Sequence, residues 1–162
     1  MSLAICIVNW NTRDLLIDGV RHLFEEDPSR SVWVLDNGST DGSAARLAEI
    51  YPQVHLVESS ENRGFAAGVN QLLQQCPADY RLVLNTDARP QPGAITTLHD
   101  YMAGHLWVAA AAPAWSTHRG GGSAATTAFR PSARSWPTCS ACAAPGRTTA
   151  CARKSIGSKA PA

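Results

Sequence analysis

Four times in the first ninety residues an apolar run breaks off in a polar cluster, and each time the chain then changes to a helical spacing. Leu3 to Val8 (LAICIV) ends at Asn9-Trp10-Asn11, and Val32 to Leu35 ends at Asp36-Asn37-Gly38-Ser39. Val54 to Val57 leads into Glu61 to Gly64, and Tyr80 to Leu84 ends at Asn85-Thr86-Asp87. A run as unbroken as LAICIV belongs to a strand buried on both faces. The segments between read as helices. Asn11 to Pro28 carries Leu15, Leu16, Gly19, Val20 and Leu23 on one stripe, and Asp41 to Tyr51 turns Leu47, Ile50 and Tyr51 inward before Pro52. A third helix carries Phe65, Val69, Leu72 and Leu73, and a fourth runs from about Gly93 to Met102. Strands alternating with helices of this length demand right-handed crossovers and a parallel sheet covered on both faces, so the fold class is α/β. Ligands of such sheets bind beyond the carboxyl ends of the strands. The four polar clusters are therefore expected on one rim.

The periodicity ends at Trp107. All 13 acidic residues lie at or before Asp100, where they face seven arginines, so the first hundred residues carry about −6 although the whole chain carries +1. Beyond Asp100 stand seven basic residues among Ala, Ser, Thr, Gly and Pro, with few large apolar side chains to offset the entropy of ordering. The expectation is one α/β unit over residues 1–107 and an irregular or disordered tail over 108–162. Loss of every acid together with enrichment in Ala, Arg, Pro, Ser and Cys is also what reading a GC-rich gene out of frame produces, and sequencing through codons 100 to 120 tests that origin.

The five cysteines, Cys6, Cys76, Cys139, Cys142 and Cys151, form no regular framework, and no secretory signal precedes the first apolar run. A cytoplasmic setting is expected. Leu106 to Ala114 is far shorter than the roughly 20 residues a membrane span needs, which leaves at most peripheral contact with a membrane. Cys139-x-x-Cys142 has the spacing of half a zinc site but no second pair follows, and the tail's arginines lack the interleaved aromatics of a nucleic-acid surface.

The residue types in the clusters suit a nucleotide. A carboxylate at a strand end, as at Asp36, accepts hydrogen bonds from ribose hydroxyls or a base N–H, and an aromatic such as Trp10 covers a base. The plainer reading of Asp36 is that it opens an Asx turn with Gly38 and caps the next helix. Asn62-Arg63-Gly64 precedes a helix whose N-terminal N–H groups favour anions, and Arg63 adds a forked donor, although the same residues also suit a surface loop. Gly64-x-x-x-Gly68 does not match the dinucleotide-binding spacing, which argues against a nicotinamide cofactor.

Val8-Asn9-Trp10-Asn11-Thr12-Arg13, Leu35-Asp36-Asn37-Gly38-Ser39-Thr40-Asp41-Gly42-Ser43, Glu61-Asn62-Arg63-Gly64-Phe65-Ala66-Ala67-Gly68-Val69-Asn70 and Leu84-Asn85-Thr86-Asp87-Ala88-Arg89-Pro90 resemble, in order, the motifs of family 2 glycosyltransferases. The rhamnosyltransferase-like members are closest in pattern. The resemblance covers roughly residues 3 to 103 and implies the GT-A (Rossmann-like) nucleotide-binding half of a domain cut short after it. It implies that Asn9, Trp10 and Asp36 contact base and ribose. Asn62, Arg63, Gly64 and Asn85 join the nucleotide-sugar site, and Asn85-Thr86-Asp87 takes the place of the DXD motif, with Asp87 as ligand to Mg²⁺ or Mn²⁺. Departing diphosphate gains negative charge that a hard cation offsets. Only Asp87 of the three is a carboxylate, which suits a site that needs the donor's phosphates to complete it. The plainer reading is an Asp in the turn before Arg89-Pro90.

The implied activity is inverting transfer of a hexose or deoxyhexose, rhamnose among them, from a nucleotide diphosphate sugar to a cell-surface polysaccharide or its lipid-linked precursor. Such a transferase needs a general base near the acceptor hydroxyl. The family's carboxylate lies in the second half of its domain, where this chain has no Asp or Glu, so no catalytic residue is assigned, and His105 and His118 have no evident link to the rim. The alternative is a non-catalytic remnant that at most binds a nucleotide. A nucleotidyltransferase shares the open α/β half but requires a Gly-rich basic loop after the first strand that is absent here.

Overall fold

The computed structural model describes residues 1–113 and the backbone of two short strands further on, Thr127–Phe129 and Thr148–Ala150. The order of elements is β1 (Leu3–Asn9), α1 (Arg13–Glu26), β2 (Ser31–Asn37), α2 (Ser43–Ile50), β3 (His55–Ser59), α3 (Phe65–Gln75), β4 (Tyr80–Leu84), α4 (Ala94–Gly104), β5 (Ala110–Ala112), β6 (Thr127–Phe129) and β7 (Thr148–Ala150). β3, β2, β1, β4 and β7 lie side by side in that order, every neighbouring pair parallel. β5 and β6 form a separate antiparallel pair. From β1 the chain steps outward through β2 to β3, then returns to the other side of β1 as β4. That reversal opens a crevice at the carboxyl ends of the strands.

The two-residue period of the strands sorts their side chains to two covered faces. Ile5 and Ile7 of β1, Val32 and Val34 of β2 and Leu82 of β4 meet Leu16, Val20 and Leu23 of α1, Leu47 of α2 and Ile95 of α4. Ala4 and Cys6, Leu35 and Val83 face the opposite way and meet Leu72 and Cys76 at the end of α3. Each fully buried Leu, Ile or Val side chain contributes about 1.5–3 kcal/mol, so both covers are needed to hold the central strand. A third, smaller cluster joins Tyr80, Met102, Val108 and Ala111 at the starting ends of β1 and β4.

Some expectations are corrected in detail. Leu15 and Ile50, expected on inward stripes, are 45% and 37% exposed, and Phe65 at the head of the third helix is 49% exposed. Each stands at an edge of its helix's buried arc, where a neighbouring residue, Leu16, Leu47 or Gly68, takes the inward position. β2 runs two residues further than Leu35 and includes Asp36 and Asn37, and β1 includes Asn9. The expected loop from residue 108 gives way to a buried Val108 and to β5 at Ala110–Ala112, and β7 joins the main sheet beside β4. A lone valine before a run of alanines carries no readable period, which is why these elements leave no trace in the sequence pattern. Cys139, Cys142, Cys151, His118 and the tail's basic residues lie outside the described residues.

Candidate functional site

Asn9 and Asp36 end adjacent strands as register partners. Asn9 continues the Ile5, Ile7 face and Asp36 the Val32, Val34 face, so both polar side chains point under the first turns of α1 and α2. Asn9 is 0% and Asp36 4% exposed. The Asn9 amide Nδ2 lies 2.7 Å from Asp36 Oδ1, 2.8 Å from Ser43 Oγ and 3.1 Å from Ser39 Oγ, while its Oδ1 accepts from the Thr12 hydroxyl at 2.7 Å. Asp36 Oδ1 also accepts from Ser43 Oγ at 3.1 Å, and Oδ2 accepts the Ser39 N–H at 2.9 Å. A carboxylate has about four acceptor positions. Three donors are in place, which leaves capacity at Oδ2.

The turn reading of Asp36 thus describes part of its work, since it closes the turn to Ser39, whereas the N–H of Ser43 at the start of α2 is taken by Asp41 at 3.0 Å. Asp41 also accepts the Arg13 N–H at 2.9 Å, fastening α1 to the loop before α2. Partial burial acts upward on its carboxyl, but the Ser43 and Arg13 donors outweigh it and hold Asp41 below the ordinary carboxylate range. The Asn9 amide is consumed inside the protein, so its share in any ligand contact runs through Asp36. Trp10 next to it is 54% exposed on the rim. Asn11 adopts φ 52° and exchanges bonds with the second loop, its N–H to Ser39 Oγ at 3.0 Å and its Oδ1 from Thr40 N–H at 2.8 Å.

Asn37 follows Leu35 to the opposite face and is 3% exposed. Its Nδ2 donates to Asn62 Oδ1 at 3.0 Å and to the Gly64 carbonyl at 3.3 Å, and its Oδ1 accepts the Arg63 N–H at 3.1 Å. The third loop is therefore moored to β2. Gly38 makes the approach possible. Its φ of +74° favours glycine, and a Cβ there would lie 2.8 Å from the Glu61 carbonyl carbon. Asn62 turns back to the Gly64 N–H at 2.8 Å. Asn62, Arg63 and Gly64 are all exposed at the head of α3, and the Arg63 guanidinium pairs with Glu61 at 3.2 Å.

The fourth cluster forms a tight turn in which the Ala88 N–H bonds the Asn85 carbonyl at 3.1 Å. Asn85 and Asp87 are exposed. The Thr12 and Thr86 hydroxyls meet at 3.2 Å, so a continuous run of hydrogen bonds joins Asp36, Asn9, Thr12 and Thr86. Behind the turn, Arg89 donates to the carbonyls of Thr86 at 3.0 Å and Ala88 at 2.9 Å and pairs with Asp18 of α1 at 2.8 Å. All four loops thus gather on one rim, as the alternation of runs and clusters requires. The bonds that moor them come from Thr12, Asn37, Ser43 and Arg89, which the sequence pattern leaves without roles, and from Ser39. Extending the period of β2 by two residues would have found Asn37.

A divalent cation tests the donor set. Asp87 presents an exposed carboxylate, and among the described residues no group of three or more His, Cys, Asp or Glu gathers to hold a metal. One carboxylate with open surroundings fits a hard cation whose remaining ligands are phosphate and water oxygens. The rim is correspondingly open. A groove of about 350 Å³ lies beside the first loop, lined by Asn11, Thr12, Arg13, Asp14, Leu15 and Asp41, and includes neither Asp36 nor Asp87. His105 stands at the end of α4, its Nδ1 2.8 Å from the Tyr101 carbonyl, at the end of the sheet opposite the rim, where Met102 packs on Tyr80 and Leu3.

Residues 4–137 match the family model described as glycosyl transferase family 2, a stretch that runs past the last motif at 85–90. An N-acetylglucosaminyl-diphospho-decaprenol L-rhamnosyltransferase of Mycobacterium tuberculosis is 33% identical over 81 residues, covering 43% of this chain and 26% of that protein. A mannosyltransferase from Pyrobaculum calidifontis, solved in complex with GDP-Man and Mn²⁺, superposes with TM-score 0.60 at 25% identity over 67% of this chain and 34% of that one. Staphylococcus aureus TarS 1–349 in complex with UDP-GlcNAc shares the fold, with TM-score 0.62 at 16% identity over 75% of this chain and 36% of that one. The chain thus spans about a quarter of the curated relative and about a third of these structures. With the parallel α/β architecture and a family match over most of its length, the chain belongs to glycosyl transferase family 2 and has the GT-A type of fold.

Proposed function

We propose that this chain forms the donor-binding part of a glycosyltransferase that moves a sugar, rhamnose being the leading candidate, from a nucleotide diphosphate sugar to a lipid-linked precursor of a cell-surface polysaccharide. The observation that carries the reading is the Asp36 carboxylate, braced by three donors at the end of β2 with acceptor capacity left at Oδ2, on the same rim as the exposed Asp87. Asp36 takes ribose hydroxyls or a base N–H, with Trp10 covering the base and Asn9 acting through Asp36. Asn62, Arg63, Gly64 and Asn85 surround the diphosphate and sugar. Asp87 is the protein's ligand to Mg²⁺ or Mn²⁺, which supplies charge compensation for the departing diphosphate. The relative from Mycobacterium, named for an acceptor carried on decaprenol, supports the lipid-linked acceptor, and such an acceptor would bring the chain to the inner face of the cell membrane. No described helix is long and apolar enough to cross a membrane.

A second reading rests on the absence of any Asp or Glu after Asp100, which leaves no carboxylate in the region where the family draws its base. The chain would then bind a donor without transferring its sugar. Calorimetric titration with several nucleoside diphosphates, with and without Mn²⁺, tests binding. The expected result is affinity that rises with Mn²⁺, returns to a weaker metal-free value with a chelator and, in the presence of Mn²⁺, falls at least tenfold in Asp36→Ala and Asp87→Ala. Wild-type affinity in both variants would remove the proposed site. Sugar transfer to a lipid diphosphate acceptor would exclude the second reading.

A further inference from the structure

Asp87 must be held for a cation by something other than its own side-chain bonds, and the structure shows what holds its turn. Arg89 lies two residues on, and its Nη1 donates at once to the Thr86 carbonyl at 3.0 Å and the Ala88 carbonyl at 2.9 Å, the carbonyls of the residues on either side of Asp87. Its Nε and Nη2 reach Asp18 Oδ2 at 3.3 and 2.8 Å, and Nη2 lies 3.5 Å from the Leu15 carbonyl. The fork therefore rivets the turn to the middle of α1. The helix is shaped to receive it. A Cβ at Gly19 would lie 3.3 Å from both Arg89 Nη1 and the Thr86 carbonyl oxygen, closer than the guanidinium and the turn can tolerate without moving. Further along, His22 Nε2 lies 3.0 Å from the Pro90 carbonyl, a second tie between α1 and this segment. Asp18 and Arg89 are only part-exposed, at 45% and 32%, and Asp18 is shared with Arg21.

We infer that Arg89, seated on Asp18 and Gly19 of α1, is a positioning residue that sets the Asn85-Thr86-Asp87 turn for the donor's metal-diphosphate. The inference rests on the donor-site reading above. With both flanking carbonyls drawn toward α1, the Asp87 side chain is left to face outward on the rim. A guanidinium suits the task because its planar donors serve two carbonyls and a carboxylate together, which an ammonium on a flexible stem does not.

The test is titration of the full chain with nucleoside diphosphate in the presence and absence of Mn²⁺, for wild type, Arg89→Lys, Gly19→Ala, Asp87→Ala and the Arg89→Lys/Asp87→Ala double variant. Thermal denaturation runs alongside to confirm that each is folded. Arg89→Lys and Gly19→Ala are expected to weaken the Mn²⁺-dependent affinity five- to tenfold and leave the metal-independent affinity unchanged. In the Asp87→Ala background Arg89→Lys is expected to add nothing, because its effect passes through Asp87. Mn²⁺-dependent affinity in folded Arg89→Lys equal to wild type, or equal losses with and without Mn²⁺, would overturn the positioning role alone. Wild type without Mn²⁺-dependent binding would overturn the donor-site reading and this role with it.

Discussion

The Asn9 amide and the Asp36 carboxylate stand 2.7 Å apart across two neighbouring parallel strands, Asn9 wholly enclosed and Asp36 with 4% of its surface still open to the rim. Hydrogen bonds to a charged group contribute about 1.5–3 kcal/mol, and a buried carboxylate stripped of a donor is costly. Asn9→Ala is therefore expected to lower unfolding free energy by about 3 kcal/mol, read as a shift of the urea midpoint at unchanged slope. A loss below about 0.5 kcal/mol would mean that water replaces the amide without cost.

Gly38 holds the second and third loops against each other at φ +74°. An L side chain in that conformation costs about 1–2 kcal/mol before any contact is counted. The Glu61 backbone 2.8 Å from the added Cβ cannot swing aside as a side chain could. Gly38→Ala should lower stability by more than about 2 kcal/mol and speed amide exchange at Arg63, whose N–H is bonded to Asn37. Thermal denaturation with hydrogen exchange checks both.

The start of β1 is tied to the residue before β4 by Asp79, which accepts the Ser2 N–H at 2.8 Å and the Ser2 hydroxyl at 3.1 Å. These two donors hold the Asp79 carboxyl below its ordinary range. A carboxyl whose value is lower in the folded state stabilises the fold above its unfolded value, about 3.9 for Asp, and loses that contribution as pH falls through the folded value. The stability gap between wild type and Asp79→Asn should stay level from pH 7 to about 5 and close on further acidification. Denaturant titrations at several pH values would show a parallel pair of curves if the tie were ineffective.

Cys6 and Cys76 are each 1% exposed and pack in the same cluster beneath α3. Burial first, and then the neighbouring Cys76, push the Cys6 thiol up to about 12. The raised Cys6 thiol holds little of the reactive thiolate, and the packing that buries Cys76 keeps reagent from its sulfur, so both residues should resist iodoacetamide at pH 8 in the folded chain and be alkylated once urea unfolds it, as followed by peptide mass spectrometry. Rapid labelling of Cys6 without denaturant would contradict the packing of α3 on the sheet.

Adjacent leucines on α1 give a direct comparison, with Leu16 1% and Leu15 45% exposed. Leu16→Ala should cost about 2–5 kcal/mol and Leu15→Ala no more than about 0.5 kcal/mol. Similar losses at the two positions would place the inward stripe of the helix wrongly.

That pair also shows what was legible in the sequence. The alternation of apolar runs with helical spacing identified the parallel sheet and put four polar clusters on one edge, because both follow from strand and helix periods alone. Leu15 was misread because a stripe of neighbouring leucines does not say where its centre lies until α2 packs beside α1. Asp36 stood out as a lone carboxylate after a strand. Asn37, Ser39, Ser43 and Thr12 did not, since small polar residues in a turn look alike until their partners are known, and those partners lie 2 to 74 positions away. Arg89 lies within the fourth motif, yet its partner Asp18 is 71 residues distant on another element. β5 is three alanines, and no period can be drawn from them.

The enclosure of Asn9 limits what evolution can write at that position. Its amide must offer protons toward Asp36 and Ser43 at one end and receive the Thr12 hydroxyl at the other, in a space with no opening to solvent. Aspartate would set a second negative charge against Asp36, glutamine is one methylene too long, and leucine matches the shape but offers nothing to bond. A library of all substitutions at residue 9, sorted for folding, should therefore retain asparagine almost alone, while the neighbouring position, where Trp10 is 54% exposed, should admit many side chains.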